Sequence, residues 1–296
     1  MKILVLNAGS SSLKYKLFDD RRVLAQGSVA HIGEPGGVPN HEKALEAAES
    51  SLIEKGVLRS FGELDGVGHR VVHGGERFRA PTRIDEGVID AIRALIPLAP
   101  LHNPANLQGI ESMAKKAPNV PQVAVFDTAF HQTMPKEAWL YAIPTRFYEE
   151  QGVRRYGFHG TSHHYVAKEA AKRLKRPLNE CNLITLHLGN GASLCAIKEG
   201  KSVDTSMGFT PLAGLVMGTR SGDVDPEIPI WLQKQGYDAD KILNKQSGLK
   251  GLCGDNDVKR IQDRAAAGDE AAMTALRVYT RRIRHYRGPI WLSWGI

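Results

Sequence analysis

One pattern occurs twice in this chain and constrains its fold more than any other feature. MKILVLNAGSSSLKYKLFD opens as an apolar strand, breaks at an Asn/Gly/Ser turn and resumes as a strand with alternating residues, the mark of a hairpin. Far downstream, NLITLHLGNGASLCAIKEG repeats the order of apolar strand, Gly/Asn turn, Ser-Leu and strand. Recurrence of one supersecondary unit predicts an internal duplication. Between the copies, helical periodicity in HEKALEAAESSLIEKG, in DEGVIDAIRALI with Asp85 as N-cap, and from Pro104 to Lys115 alternates with the short strands GVGHRVVHG and QVAVFDTAF. Such alternation predicts an α/β architecture. The duplication predicts two similarly built domains, residues 1–130 and 131–296, with a ligand in a cleft between them.

Composition narrows the function classes. A chain of 296 residues with 42% hydrophobic content can bury a substantial core. No apolar run is long enough for a spanning helix, and Met1 leads directly into KILVLN without the features of a signal peptide; a cytoplasmic protein without membrane partners is expected. Cys181, Cys195 and Cys253 are scattered with no C-x-x-C spacing, which predicts reduced thiols rather than a disulfide framework or zinc knuckle. The formal charge of +7 is spread along the chain without a nucleic-acid-binding motif, so no nucleic-acid partner is expected. The dense run from Arg277 to Arg287 reads as one solvated helix face.

Two turns have the chemistry of phosphate binding. Asn7-Ala8-Gly9-Ser10-Ser11-Ser12 offers backbone N–H groups and small hydroxyls that could gather round a phosphate, with Lys14 projecting into the same space. Equally, it could be a plain hairpin turn beside a solvated lysine, and it lacks the second Gly and the Lys-Ser/Thr of a Walker A loop. His187-Leu188-Gly189-Asn190-Gly191-Ala192-Ser193 follows the same logic, and two such turns suit a nucleotide held from two sides.

Four further segments set polar groups in apolar context: GHRVVHGGERF, VFDTAFHQTMP, RRYGFHGTSHH and MGTRSGDVDP. Arg70 could grip a carboxylate with two parallel hydrogen bonds, with Gly74 and Gly75 allowing close approach, or could pair with Glu76. Asp127 ends an apolar strand, either as a functional carboxylate or as the cap of the next turn. Arg220, between Gly218 and Gly222, could meet a phosphoryl group or form a salt bridge with Asp223 or Asp225. His159 and His163 have i, i+4 spacing, but Gly160 falls between them and Ser162 reads as the N-cap of a helix starting near His163. His159 as a hydrogen-bond donor to a phosphoryl oxygen fits better than zinc.

MKILVLNAGSSSLKYKLFD, HRVVHGGERF, PLAPLHNPANLQGI, VAVFDTAFHQTMP, YGFHGTSHHYVA, LHLGNGASLCAI and DTSMGFTPLAGLVMGTRSGDVDP, in this order, resemble the acetate kinases from Met1 to about His285. The resemblance implies two actin-like (ribonuclease H-like) domains of the sugar-kinase and Hsp70 superfamily. It also implies ATP-dependent phosphorylation of acetate with magnesium, or manganese in its place, and a homodimer. On the matching positions, Asn7 would help bind the metal, and Lys14, His187, Leu188, Gly189, Asn190 and Gly191 would contact ATP or ADP. Arg70 would hold the substrate carboxylate, and Val72, Leu101, Phe158 and Pro211 would line a pocket for its methyl group. Asp127 would be the catalytic carboxylate, with His159 and Arg220 stabilising the transition state. A propionate kinase and a noncatalytic nucleotide-binding remnant are the alternatives.

Two departures stand out. At Asp257-Val258-Lys259, which would contact the nucleotide, Lys259 stands where the family has Arg. At the end, the family continues into a strand and a Gly-rich adenosine turn, whereas this chain reads RGPIWLSWGI. Here Arg287 enters the apolar stripe, Pro289 is expected to end the helix, and Ile290, Leu292 and Ile296 form an apolar tail. The expectation is a C-terminally truncated second domain with exposed strand edges and weak activity.

Overall fold

Strand alternation organises the first of two compact units, Met1–Ala129 and the chain from Phe130 onward. In the computed structural model, residues 1–292 are described, and for 287 and 289–292 only the backbone. Strands β1 (Lys2–Ala8), β2 (Ser12–Asp19) and β3 (Arg22–Ala30) form an antiparallel meander. Leu4, Leu6, Leu13, Tyr15 and Leu17 lie on its buried face, and Lys14 and Lys16 point away, as period-2 patterning requires. The first unit continues through α1 (His41–Glu54), β4 (Gly66–Val71), β5 (Thr82–Arg83), α2 (Glu86–Ala94), α3 (Asn103–Lys116) and β6 (Gln122–Phe126). The sheet order is β3-β2-β1-β4-β6-β5, with β1, β4 and β6 parallel.

Local signals set the helix starts. Asn40 caps α1 by accepting from Lys43 N, and Asp85 caps α2 by accepting from Val88 N, each cap contributing about 1 kcal/mol. Pro104 sits in the first turn of α3, where its missing N–H removes no intrahelical bond. Ala44, Leu45, Ala48 and Leu52 of α1 and Met113 of α3 pack against the buried face of β1 and β2. A second cluster of Val71, Phe78, Ile92, Ile110 and Phe126 fills the region around β4 and β6.

The second unit contains α4 (Lys136–Trp139), α5 (Arg146–Gln151), α6 (Gly160–Leu174), β7 (Leu183–Leu188), β8 (Ala192–Lys198) and β9 (Lys201–Thr205). These strands form a second antiparallel meander in the order β7-β8-β9. The duplication therefore extends beyond the two strands legible in each sequence repeat to a third strand, β3 and β9. Both meanders also carry a register irregularity in the second pairing, between Leu17 and Phe18 in one and between Ala196 and Ile197 in the other. Among the described residues β7 is an edge strand, with Leu186 and Leu188 exposed.

Helices α7 (Glu227–Lys234), α8 (Ala239–Lys241), α9 (Gly248–Cys253), α10 (Val258–Ala266) and α11 (Glu270–Leu292) follow. Leu249, Ile261, Ala272, Ala275 and Tyr279 join α9, α10 and α11 in one apolar cluster. The expected stop at Pro289 is not observed: α11 runs on to Leu292. A proline removes one backbone donor and can bend a helix without ending it. The expected apolar tail falls outside the described side chains at Ile290 and Leu292, and wholly outside the described residues at Ile296.

Candidate functional site

In the first unit the β1–β2 turn is drawn tight by Gly9 N donating to Ser12 O at 2.7 Å. Asn7 and Lys14 are direct cross-strand partners, so their side chains share the face opposite the core. Asn106 of α3 fastens this turn: its Nδ2 donates to Ala8 O at 2.7 Å, and its Oδ1 accepts from Val72 N at 3.0 Å. Asn103 holds the next residue twice, through His73 N at 3.1 Å and His73 O at 3.1 Å. Neither asparagine was singled out in the sequence, although both lie in the PLAPLHNPANLQGI motif, three residues apart at a helix start.

Arg70, near the end of β4, and Asp127, directly after the parallel neighbour β6, meet side-on. Arg70 Nε lies 3.0 and 3.1 Å from the two carboxylate oxygens, and Nη2 lies 2.6 Å from Oδ2. Asp127 is buried while Arg70 keeps 38% of its side chain exposed. The carboxylate's charge raises the Arg70 pKa further above its ordinary value. Pairing of Arg70 with Asp127 replaces the expected alternative with Glu76, and it leaves the outer Nη1 side of the guanidinium turned from Asp127. The two glycines after β4 serve packing: a Cβ on Gly74 would lie 2.8 Å from the Phe126 ring, and Gly75 has a φ of +58°. Val72 is buried and Leu101 exposed.

The second unit gathers its predicted residues round the β7–β8 turn. His159 is the N-cap of α6 and sits in the left-handed region at φ 57° and ψ 20°, a strained setting for a side chain other than glycine. Its O accepts from His163 N at 3.0 Å. The helix thus starts at Gly160, three residues before the expected start, and Ser162 is not its cap. Instead Ser162 Oγ lies 2.9 Å from His187 Nδ1. The rings of His187 and His159 stack with centroids 4.0 Å apart.

The i, i+4 pair of histidines meets on a hydroxyl. His159 Nδ1 and His163 Nε2 each lie 2.8 Å from Ser193 Oγ on β8, and His163 Nδ1 lies 2.8 Å from Thr185 Oγ1 on β7. Burial first, aided by nearby His131 and His187, pushes His163 down to about 3, so it is neutral at ordinary pH. His164 stacks on Phe130 instead.

Gly191 marks where the functional side chains converge. A Cβ placed there would lie 3.4 Å from Arg220 Nη1 and 3.5 Å from both Nε2 and Cε1 of His159. Arg220 Nη1 also donates to Pro211 O at 3.1 Å. The arginine's loop is pinned at several points, among them Gly218 N to Asn190 O at 3.0 Å, Leu249 N to Met217 O at 2.9 Å and Ser247 N to Thr219 O at 3.0 Å. The carboxylate of Asp223 receives Gly214 N at 2.7 Å and the Tyr286 hydroxyl, while Asp225 Oδ1 accepts from Glu227 N at 2.9 Å. Arg282 Nη1 donates to Gly214 O at 3.1 Å and Asp223 O at 3.0 Å. Within the run read as a solvated face, Arg282 and Tyr286 therefore fasten the arginine loop, while Arg277, Arg281 and Arg284 are exposed.

Other expected residues are less central. Phe158 is buried, and its O lies 2.9 Å from His131 Nε2. Leu188 is exposed. Asp257 caps α10 by accepting from Arg260 N, Val258 packs against the α9–α11 cluster, and Lys259 is exposed. Their neighbour Asn256, not anticipated, donates from Nδ2 to Asn190 Oδ1 at 2.9 Å and so reaches the second turn.

Comparison with known proteins places the chain in a family. Residues 2–293 match the acetokinase family. The acetate kinase of Sulfurovum sp. (strain NBC37-1) is 54% identical over 97% of this chain and 78% of its own length. The crystal structure of Porphyromonas gingivalis acetate kinase superposes with a TM-score of 0.93 at 44% identity, covering 99% of this chain and 80% of that one. A propionate kinase from Francisella tularensis subsp. tularensis SCHU S4 gives a TM-score of 0.92 at 41% identity, covering 98% and 80%. A duplicated meander, a histidine and an arginine meeting over its second turn, and identity across nearly the whole sequence lead to one conclusion: this chain belongs to the acetokinase family.

Proposed function

We propose that this chain is a phosphotransferase that moves the γ-phosphoryl group of ATP to acetate, reversibly, giving ADP and acetyl phosphate. The observation that carries this reading is the meeting of Arg220 Nη1 and His159 Nε2 over Gly191. A turn whose floor has no side chain, with a permanent cation and an imidazole beside it, suits a transferring phosphoryl group.

The nucleophile needs little proton chemistry, because a simple carboxylate is already ionised at neutral pH. An acetate oxygen attacks the γ-phosphorus as the bond to the β,γ-bridging oxygen breaks, and ADP leaves with that electron pair. Repulsion between anions is then the main obstacle, and Arg220 and His159 offset it. Arg70, oriented by Asp127, holds the acetate carboxylate by its outer side. Asp127 therefore orients rather than removes a proton. The turn from His187 to Gly191 would bind the nucleotide phosphates, with Asp257, Val258 and Lys259 on the adenosine side, and Lys14 would be the phosphate contact of the first unit.

Magnesium fits as an ion brought by the nucleotide. Among the described residues no group of three or more His, Cys, Asp or Glu could hold a metal, and Mg²⁺ commonly relies on substrate phosphates, water and one or two protein oxygens. Asn7, at the end of β1, would supply a neutral oxygen. When bound, the ion supplies charge neutralisation on the phosphates.

The two units, divided at Ala129 and Phe130, are read as the two catalytic domains of a cytoplasmic homodimer. No helix among the described residues is long and apolar enough to cross a membrane. Propionate is a second substrate on this reading, since one methylene changes binding by only about 1–3 kcal/mol. ATP-dependent formation of acetyl hydroxamate in the presence of hydroxylamine tests the function. ATP binding without product would instead identify a noncatalytic nucleotide-binding chain.

A further inference from the structure

His159 does not stand alone. A line of hydrogen bonds connects it through Ser193 and His163 to Thr185, with 2.8 Å at every step. Ser193 is fully buried, and His163 and Thr185 are nearly so.

Proton counting limits what this line can do. The Ser193 hydroxyl has one hydrogen, so it donates to one imidazole and accepts from the other. His163 is neutral and also carries one, with both ring nitrogens against hydroxyls. Two arrangements satisfy these three hydrogen bonds. In the first, Thr185 donates to His163 Nδ1, His163 Nε2–H donates to Ser193, and Ser193 donates to His159 Nδ1. A neutral His159 then carries its proton on Nε2, the nitrogen beside Gly191 and Arg220. In the second, all donors reverse, and a neutral His159 turns a lone pair toward Gly191.

The surroundings favour the first arrangement. A lone pair at Nε2 would repel a phosphoryl oxygen, whereas Nε2–H donates to it. The second arrangement gives a donor at Nε2 only if His159 is cationic. Opposing that extra charge are the Arg220 guanidinium beside Gly191 and the N-terminus of α6, where the helix dipole is positive. The stacked His187 ring supplies no negative charge to offset it.

We propose that Ser193 and His163 are positioning residues that hold His159 as its Nε2–H tautomer, so that a neutral imidazole donates to the transferring phosphoryl group. This deepens the kinase reading and rests on the role given there to His159. The left-handed backbone at His159 makes the requirement sharper: the α6 N-cap fixes where the ring starts, and the serine fixes how it turns.

Long-range ¹H–¹⁵N correlation spectra of the full chain near pH 7.5, with the His159 signals identified by their loss in His159→Asn, test the tautomer directly. The expected result is a bare Nδ1 and a protonated Nε2; a proton on Nδ1, alone or with Nε2, overturns the proposal. This result needs neither turnover nor a folded serine variant. Ser193→Ala should give a mixture of tautomers and lower kcat for hydroxamate formation about 10- to 100-fold, with KM for ATP and acetate within about twofold. Unchanged kcat and tautomer in Ser193→Ala, with activity lost in His159→Asn, would overturn the relay but leave the kinase reading intact. Full activity in His159→Asn would instead remove the role of His159, while the wild-type spectrum still decides the tautomer.

Discussion

Asp127 closes one side of the Arg70 guanidinium, taking Nε at 3.0 Å and Nη2 at 2.6 Å from a buried position. The pair leaves an oriented cation edge rather than a mobile charge. Replacing Arg70 with Lys removes the planar fork, and the expected outcome is a KM for acetate raised by about tenfold or more with KM for ATP little changed. Arg70→Ala also strands the Asp127 carboxylate, lowering stability by about 2–3 kcal/mol. That lies below the penalty for a fully buried pair, because Arg70 keeps 38% of its side chain exposed. Steady-state kinetics and urea denaturation check both.

For Asp127→Asn, kcat should fall about 100-fold or more while the shape of the pH–rate profile is retained. Loss of an acidic limb from that profile would show that Asp127 removes a proton instead.

Gly191→Ala is a direct probe of the proposed phosphoryl position. The added methyl would lie at ordinary contact distance, 3.4 Å from Arg220 Nη1 and 3.5 Å from His159. Folding should therefore be nearly unchanged, with Tm within about 2 °C. Because the methyl fills the space in front of both donors, kcat/KM for ATP should fall at least about tenfold. An unaltered kcat/KM would place the transfer elsewhere.

Stability should decline in mild acid. Burial lowers His69 and His73 to about 4 and His163 to about 3. Each folded-state value lies below the unfolded value near 6.5, so below pH 6.5 the unfolded chain binds more protons than the folded one. The stability from keeping these rings neutral is present above pH 6.5 and is lost progressively as pH falls towards 4. The slope is about 1.4 kcal/mol per pH unit for each neutral ring. Urea midpoints at pH 7.0 and 5.5 measure this, and equal midpoints would contradict it.

The contacts of α11 with the 214–223 loop yield a separate expectation. Arg282→Met removes the two donations to Gly214 O and Asp223 O, and Tyr286→Phe removes the hydroxyl on Asp223. Each should lower kcat about tenfold by loosening the support of Arg220, with little change in KM. Arg281→Met, at an exposed position on the same helix, is the control and should behave as the parent.

Legibility from sequence followed the range of the interaction. The caps Asn40 and Asp85 act on N–H groups three residues away, so the helix starts could be read locally. The turns at Gly9 and Gly191 were readable because small residues leave a compositional mark. Asn106, by contrast, binds Ala8 across 98 positions, and Ser193 joins His159 across 34. No local pattern encodes such pairings. The helix start at α6 was misplaced because Ser162 resembles a cap by type, while the true N-cap, His159, adopts a backbone conformation uncommon for histidine. Pro289 misled for a related reason: a local breaker does not decide the course of a helix already propagating through many bonds.

Asn106 has a mechanical consequence. One amide is bonded both to the carbonyl that ends β1 and to the N–H that follows β4, so it works as a crossbar between two loops. A pull on the β1–β2 turn is transmitted to the backbone two residues beyond Arg70 without passing through the hydrophobic core. Asn106→Asp would keep the length of the bar but replace its donor with an oxygen, cutting the brace at Ala8 alone and giving the turn slack while its far end at Val72 stayed tethered.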